Sequence, residues 1–151
     1  MQIYVVTRQG WDYDDEYYYR PRYGGGDLVK AFVEQKDAKA FATQANIDEC
    51  RDLLASDGDD IMCHLGEGES IKEKLTPDRL WGTSLPSEDC ERLLAHFDVT
   101  SDYYSDEEEP IGISKNAQLK IPDEDWLMLS EALGFASHSV EKIELVSSDG
   151  K

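Results

Sequence analysis

The chain has 151 residues and a formal net charge of −18, from 33 acids against 15 bases. That length suits one domain of ordinary size and buries enough surface to fold without a disulfide or metal staple. So negative a field repels nucleic-acid phosphates and anionic lipid, which argues against direct nucleic-acid binding or membrane attachment and for a basic protein as partner.

The share of Leu, Ile, Val and Phe lies only a little above the roughly 20% level below which high net charge predicts disorder. A lean core with acidic loops is expected. Cys50, Cys63 and Cys90 are odd in number and show no Cys-x-x-Cys spacing. They argue against a disulfide framework and for a reducing, cytoplasmic setting. No basic leader and no long apolar run is present, so neither a signal peptide nor a transmembrane helix is expected.

In chain order, residues 2–8 (Gln-Ile-Tyr-Val-Val-Thr-Arg) are rich in β-branched and aromatic side chains and read as a strand. Residues 28–33 read as a second, and an antiparallel hairpin is the simplest way to pair the two. Their connection, Gly10 to Gly26, is the most unusual stretch of the chain. It carries Trp11, Tyr13, Tyr17, Tyr18, Tyr19 and Tyr23 beside Asp12, Asp14, Asp15 and Glu16. Residues 16–20 extend the ladder in this reading, with Tyr18 packed inward. Gly24, Gly25 and Gly26 let the chain re-enter the sheet.

Ala38, Phe41, Ala42 and Ala45 recur at helical spacing, and Ile47, Cys50, Leu53 and Leu54 continue the stripe. A helix over residues 36–55 follows, with Asn46 as a candidate break. Asp57-Gly58-Asp59-Asp60 supplies turn chemistry. Residues 61–65 read as a short strand and 66–69 as a loop. Thr76-Pro77 looks like a helix start, with Thr as cap and Pro at the first helical position. Leu85-Pro86-Ser87-Glu88-Asp89-Cys90 resembles Ile121-Pro122-Asp123-Glu124-Asp125-Trp126. This is shared helix-start grammar rather than a repeat array, which needs more copies. Helices near 87–97 and 123–133 follow, the second ending at Gly134. Residues 98–109 are acidic enough to read as a solvated loop. Residues 140–146 read as a last strand and 147–151 as a disordered tail.

Candidate chemistry is thin. The acids at 12–16 and 57–60 invite a Ca²⁺ reading, but neither run matches the loop of about twelve residues that curls around that ion. Cys63, His64, Cys90 and His96 are suitable zinc ligands by type, yet their spacing fits no structural zinc motif. Cys63 and His64 point to opposite faces if they lie on a strand. No nucleophile elbow, phosphate loop or dinucleotide fingerprint occurs. No metal, cofactor or catalytic residue is therefore assigned.

The expected fold is α+β in a single domain over 1–151. A small antiparallel sheet, seeded by the N-terminal hairpin, packs against three or so helices. A β-β-α unit spans 2–55 and a mixed helix and strand part spans 61–146. Ile3, Val5, Leu28, Ala31, Phe41, Ala45, Leu53, Leu93, Leu94, Trp126, Leu129 and Leu133 form the expected core. The expected function is a non-enzymatic interaction module of inhibitor, immunity or adaptor type. It binds a basic partner through Trp11, Tyr13, Asp14, Asp15, Tyr17 and Tyr19, because aromatic side chains give contact area and carboxylates meet Arg or Lys. The alternatives are a divalent-cation-dependent protein or hydrolase built on the carboxylate clusters, and an acidic mimic of nucleic acid. The sequence says nothing about oligomeric state.

Overall fold

The computed structural model describes residues 1–13, 19–21, 26–56, 58–65, 70–77, 83–101 and 108–146. Within them the fold is α+β. A three-stranded antiparallel sheet has β1 (Gln2–Arg8) at its centre, flanked by β4 (Asp27–Phe32) and β7 (His138–Glu144). Between β1 and β4, the short strands β2 (Trp11–Tyr13) and β3 (Tyr19–Pro21) form a separate ribbon, pairing Trp11 with Pro21 and Tyr13 with Tyr19. The connection between the seeding strands is therefore a second hairpin and not an extension of the first ladder.

The sheet packs on α1 (Gln35–Leu54). Val6 is fully buried against Ala38 and Ala42, and Tyr4, Phe32, Phe41 and Val140 close around them. The face that meets the helix is thus the even-numbered side of β1. The expected core residues Leu28 and Ala31 are instead exposed, Leu28 at 67%. Register explains this. Ala31 pairs with Val5 and Leu28 with Thr7, both on the odd-numbered side, and the pairing shifts between Val6 and Thr7. A period of two puts neighbours on opposite faces, so one step of parity moves the whole set. Val5 is buried and Ile3 is half-buried on that side.

α1 runs unbroken past Asn46. It buries Ala38, Ala42, Asn46, Ile47, Cys50 and Leu54, while Phe41, Ala45 and Leu53 are half-buried at the margins of that stripe. Burial pushes the Cys50 thiol up to about 12, against a smaller lowering by Arg51. The far end of α1 belongs to a larger core with Ile61, Leu65, Ile71, Leu75, Leu93, Phe97, Trp126, Leu129, Leu133 and Phe135; Leu94 packs half-buried against it.

Residues 61–65 belong to a helix, α2 (Gly58–Leu65), and not to a strand. Ile61 and Leu65 are both buried. They are four apart, so one helical face carries both, and a strand of the same length would also have put them on one face. α3 (Ile71–Lys74) begins at Ser70, whose Oγ accepts from the Glu73 N–H at 3.2 Å. Thr76 follows the end of α3, its Oγ1 donating back to the Lys72 carbonyl at 2.6 Å. It is a C-terminal residue of that turn; the helix expected after it falls on residues 78–82, outside the described residues.

α4 (Ser87–Leu94) and α6 (Asp123–Ala132) start after Pro86 and Pro122 with acids in the first turn, where the helix dipole favours them. Gly134 closes α6 with φ 75°: its N–H donates to the Glu131 carbonyl and that of Phe135 to Ser130. Between α4 and α6 the expected acidic loop is partly a hairpin. β5 (Asp98–Ser101) pairs with β6 (Glu108–Gly112), and the one-turn α5 (Lys115–Gln118) follows. Pairing across the acids satisfies backbone groups that charge density alone does not reveal. The loop at 66–69, the inward packing of Tyr18, Gly24 and Gly25, and the tail at 147–151 lie outside the described residues. No helix among the described residues is long and apolar enough to cross a membrane.

Candidate functional site

The site is built where the β2–β3 ribbon meets the ends of α1 and α2. Trp11, at the start of β2, is half-buried against the larger core. Its ring meets the His64 ring edge-on, with centroids 5.1 Å apart and planes at 77°. Aromatic pairs favour this arrangement because the positive edge of one ring meets the negative face of the other. Trp11 and His64 line a cleft of about 450 Å³, together with Leu53 and Phe135. Glu49 and Asp52 line it from α1, Ser56 from just after that helix, Asp60 from α2 and Arg8 from β1.

Helical geometry brings these groups together. Glu49, Asp52 and Leu53 are spaced i, i+3 and i+4, so they share one face of α1, and Ser56 follows just past its end. Asp60 and His64 are four apart on α2. The Nδ1 of His64 lies 2.8 Å from the Asp60 carbonyl. A carbonyl can only accept, so Nδ1 carries a proton.

Arg8 bonds Glu49 through Nε. The Ser56 hydroxyl donates to the Leu53 carbonyl. The other carboxylate oxygen of Glu49 accepts from the Ser137 hydroxyl, and Ser137 adjoins His138. Burial pulls the His138 pKa down; Glu49 opposes this and Arg8 adds to it. Glu49, Asp52 and Asp60 against Arg8 give the described lining more negative than positive charge.

Of the expected partner-binding residues, Trp11 lines this cleft, while Tyr13 and Tyr19 face each other in the ribbon as backbone partners. Asp14, Asp15 and Tyr17 lie outside the described residues. Arg8, Glu49 and Asp52 carry no role in the sequence reading, where Asp60 and His64 figure only as candidate metal ligands. The available signal is the spacing of Glu49 and Asp52, which puts both on one face of the helix. The helical pair Asp60 and His64 was hidden by the strand assigned to 61–65.

The candidate zinc ligands are divided between elements, Cys63 and His64 on α2, Cys90 on α4 and His96 just after it. No group of three or more His, Cys, Asp or Glu side chains that could hold a metal occurs among the described residues. Cys63 and His64 are neighbours on a helix, so the opposite-face argument made for a strand does not apply to them. His96 belongs to another cluster. Its Nε2 lies 2.9 Å from Asp125, which also takes Arg92 at 3.1 Å. That cluster ties α4 to α6.

Comparison with protein-family models, curated proteins and solved structures returned no match.

Proposed function

We propose that this chain is a non-enzymatic interaction module that binds a basic protein, using the β2–β3 ribbon and the acidic cleft beside it. The observation that carries this reading is the seating of Trp11 against His64 on the wall of a cleft that also holds Glu49, Asp52 and Asp60. An aromatic anchor beside carboxylates suits Arg and Lys, through ring-face attraction and charge-assisted hydrogen bonds. The net charge of −18 adds long-range attraction for a basic partner. The Tyr- and Asp-rich connection has a paired base in the ribbon, through Tyr13 and Tyr19. The odd count of three cysteines, with no Cys-x-x-Cys spacing, supports a cytoplasmic site of action.

The test is affinity capture from the source cell's extract with tagged wild type and with a Trp11→Ala/Tyr13→Ala/Asp14→Ala variant. The reading expects basic proteins retained by wild type, lost from the variant, and released as salt rises to about 0.5 M, where screening shortens the reach of charge. Retention of the same proteins by both would overturn it.

A further inference from the structure

We infer that the outer face of the three-stranded sheet, the side turned away from α1, joins two copies of this chain in a weak twofold dimer. The contact uses a different surface from the basic-partner reading and stands apart from it.

Register defines the face. Directly paired residues share a side of the sheet, and neighbours along a strand alternate. Tyr4, Val6, Phe32 and Val140 pack on the α1 side. Ile3 and Val5 of β1, Ala31 of β4 and Ile143 of β7 therefore turn the other way. The ladder runs one pair further, the Leu145 N–H donating to the Met1 carbonyl at 2.7 Å, which adds both of those side chains. Met1 is 71% exposed, Leu145 46% and Ile143 39%. Thr7 and Ser139 close the polar end, their hydroxyls 3.2 Å apart, with Leu28 beside them at the rim. Glu141 is the one charged side chain among these paired residues, in a chain of which 32% is charged. The solvent side of an antiparallel sheet ordinarily alternates to polar residues. On this sheet it stays apolar.

Charge and area select the occupant. A face with a single carboxylate gives a basic protein little to pair with, although the whole chain carries a net charge of −18. An apolar face is complementary to another of its kind, and a twofold contact sets the same patch on both sides. Antiparallel sheets pack in this way about 10 Å apart, with their strands within about 30° of each other. Three strands about 4.8 Å apart and about seven residues long give a face of roughly 14 by 24 Å. With side chains standing on it, each copy loses on the order of 600 Å² and the pair about 1,200 Å², the lower limit for a specific, stable interface. The dimer is therefore weak, and repulsion between two chains of like charge works against it. Edge-to-edge pairing is the competing way to join two sheets. It is opposed by Glu141, Lys142 and Glu144 along β7 and by the register shift in the β4 pairing, since charges and bulges blunt sheet edges.

Analytical ultracentrifugation of the full chain tests this, from about 5 µM to about 1 mM protein in about 0.15 M and about 0.5 M NaCl. The mass is expected to rise from 17.1 kDa and level off at twice that, with a dissociation constant on the order of 100 µM at the lower salt. Higher salt should tighten the dimer about threefold or more, because it screens the repulsion between copies. Capture of a basic partner responds to salt in the opposite sense, so the two ideas fail separately. Ile143→Lys and Leu145→Lys each bring a charge into the contact and should weaken association at least about tenfold. Leu119→Lys makes the same charge change at an exposed leucine just after α5, off the sheet, and should stay within about twofold of wild type. All three positions are exposed, so far-UV circular dichroism should match wild type, and Leu145→Lys decides if Ile143→Lys fails to fold. A monomer at every concentration would overturn the inference and leave the face to a different protein. Mass climbing past the dimer without a plateau would also overturn it, in favour of edge pairing. So would association that survives both lysines on the face, or that is lost equally with Leu119→Lys.

Discussion

The side-chain amide of Asn46 holds the backbone of His138 from both sides. Its Oδ1 accepts from the His138 N–H at 2.8 Å, and its Nδ2 donates to the His138 carbonyl at 3.2 Å. Oδ1 also accepts from the Ser137 N–H at 3.1 Å. A residue in the middle of α1 thereby sets where β7 enters the sheet. Asn46→Leu removes these partners from backbone groups that are largely shielded from water. The expected loss is about 2–4 kcal/mol, since each unsatisfied buried group costs roughly 1–3 kcal/mol. Urea unfolding at neutral pH measures it, and amide exchange should quicken first along residues 138–144. A variant as stable as wild type would show that this bridge contributes nothing.

Asp125 is buried in the first turn of α6 and receives hydrogen bonds from His96 and Arg92. Burial alone would raise its pKa, but these bonds and the Arg92 charge outweigh it and hold the carboxyl below its ordinary value. A carboxylate whose pKa is lower folded than unfolded stabilises the fold above the unfolded pKa, about 3.9. That contribution is lost as pH falls through the folded pKa. Asp125→Asn should therefore cost roughly 1–3 kcal/mol at pH 7, the usual worth of hydrogen bonds to a charged group. The gap between variant and wild type should narrow steadily below about pH 4. Paired urea titrations from pH 7 to pH 3 check this, and a gap independent of pH would contradict it.

Gly26 lies where β4 begins beside the end of β1. A Cβ there would stand 2.9 Å from the Arg8 carbonyl oxygen and 3.0 Å from its carbon. Both are backbone atoms, so the strands must move apart to admit it. Gly26→Ala is expected to destabilise by about 1–3 kcal/mol, the range for overpacking. Gly134→Ala meets no steric obstacle but must hold φ 75°, which costs about 1 kcal/mol. Thermal unfolding should rank Gly26→Ala as the more damaging of the two.

Leu28 and Leu129 look alike as expected core residues, and the structure separates them. Leu129 is fully buried in the helical core, while Leu28 is 67% exposed on β4. Leu129→Ala should cost about 2–5 kcal/mol, whereas Leu28→Ala should stay within about 0.5 kcal/mol. Chemical denaturation of the two single variants decides the matter, and comparable losses would mean that Leu28 is covered in solution.

Much of this arrangement is local and was legible in the chain. β-Branched runs mark β1 and the edge strands. The alanine spacing marks α1. Proline followed by acids marks the starts of α4 and α6, and Gly134 marks the end of α6. Each of these follows from backbone sterics, capping or a short-range period, which need no knowledge of distant residues. Three matters needed the tertiary structure. The face of β1 that meets α1 was open, because Ile3-Tyr4-Val5-Val6 is apolar on both sides and only the docked helix chooses between them. Residues 61–65 are apolar at both ends, which a helix and a strand satisfy equally over five residues; packing against α1 and β6 selected the helix. The cleft joins Arg8, Trp11, Glu49 and His64 from four elements. Its lining is assembled by contacts across the fold and not by spacing along the chain.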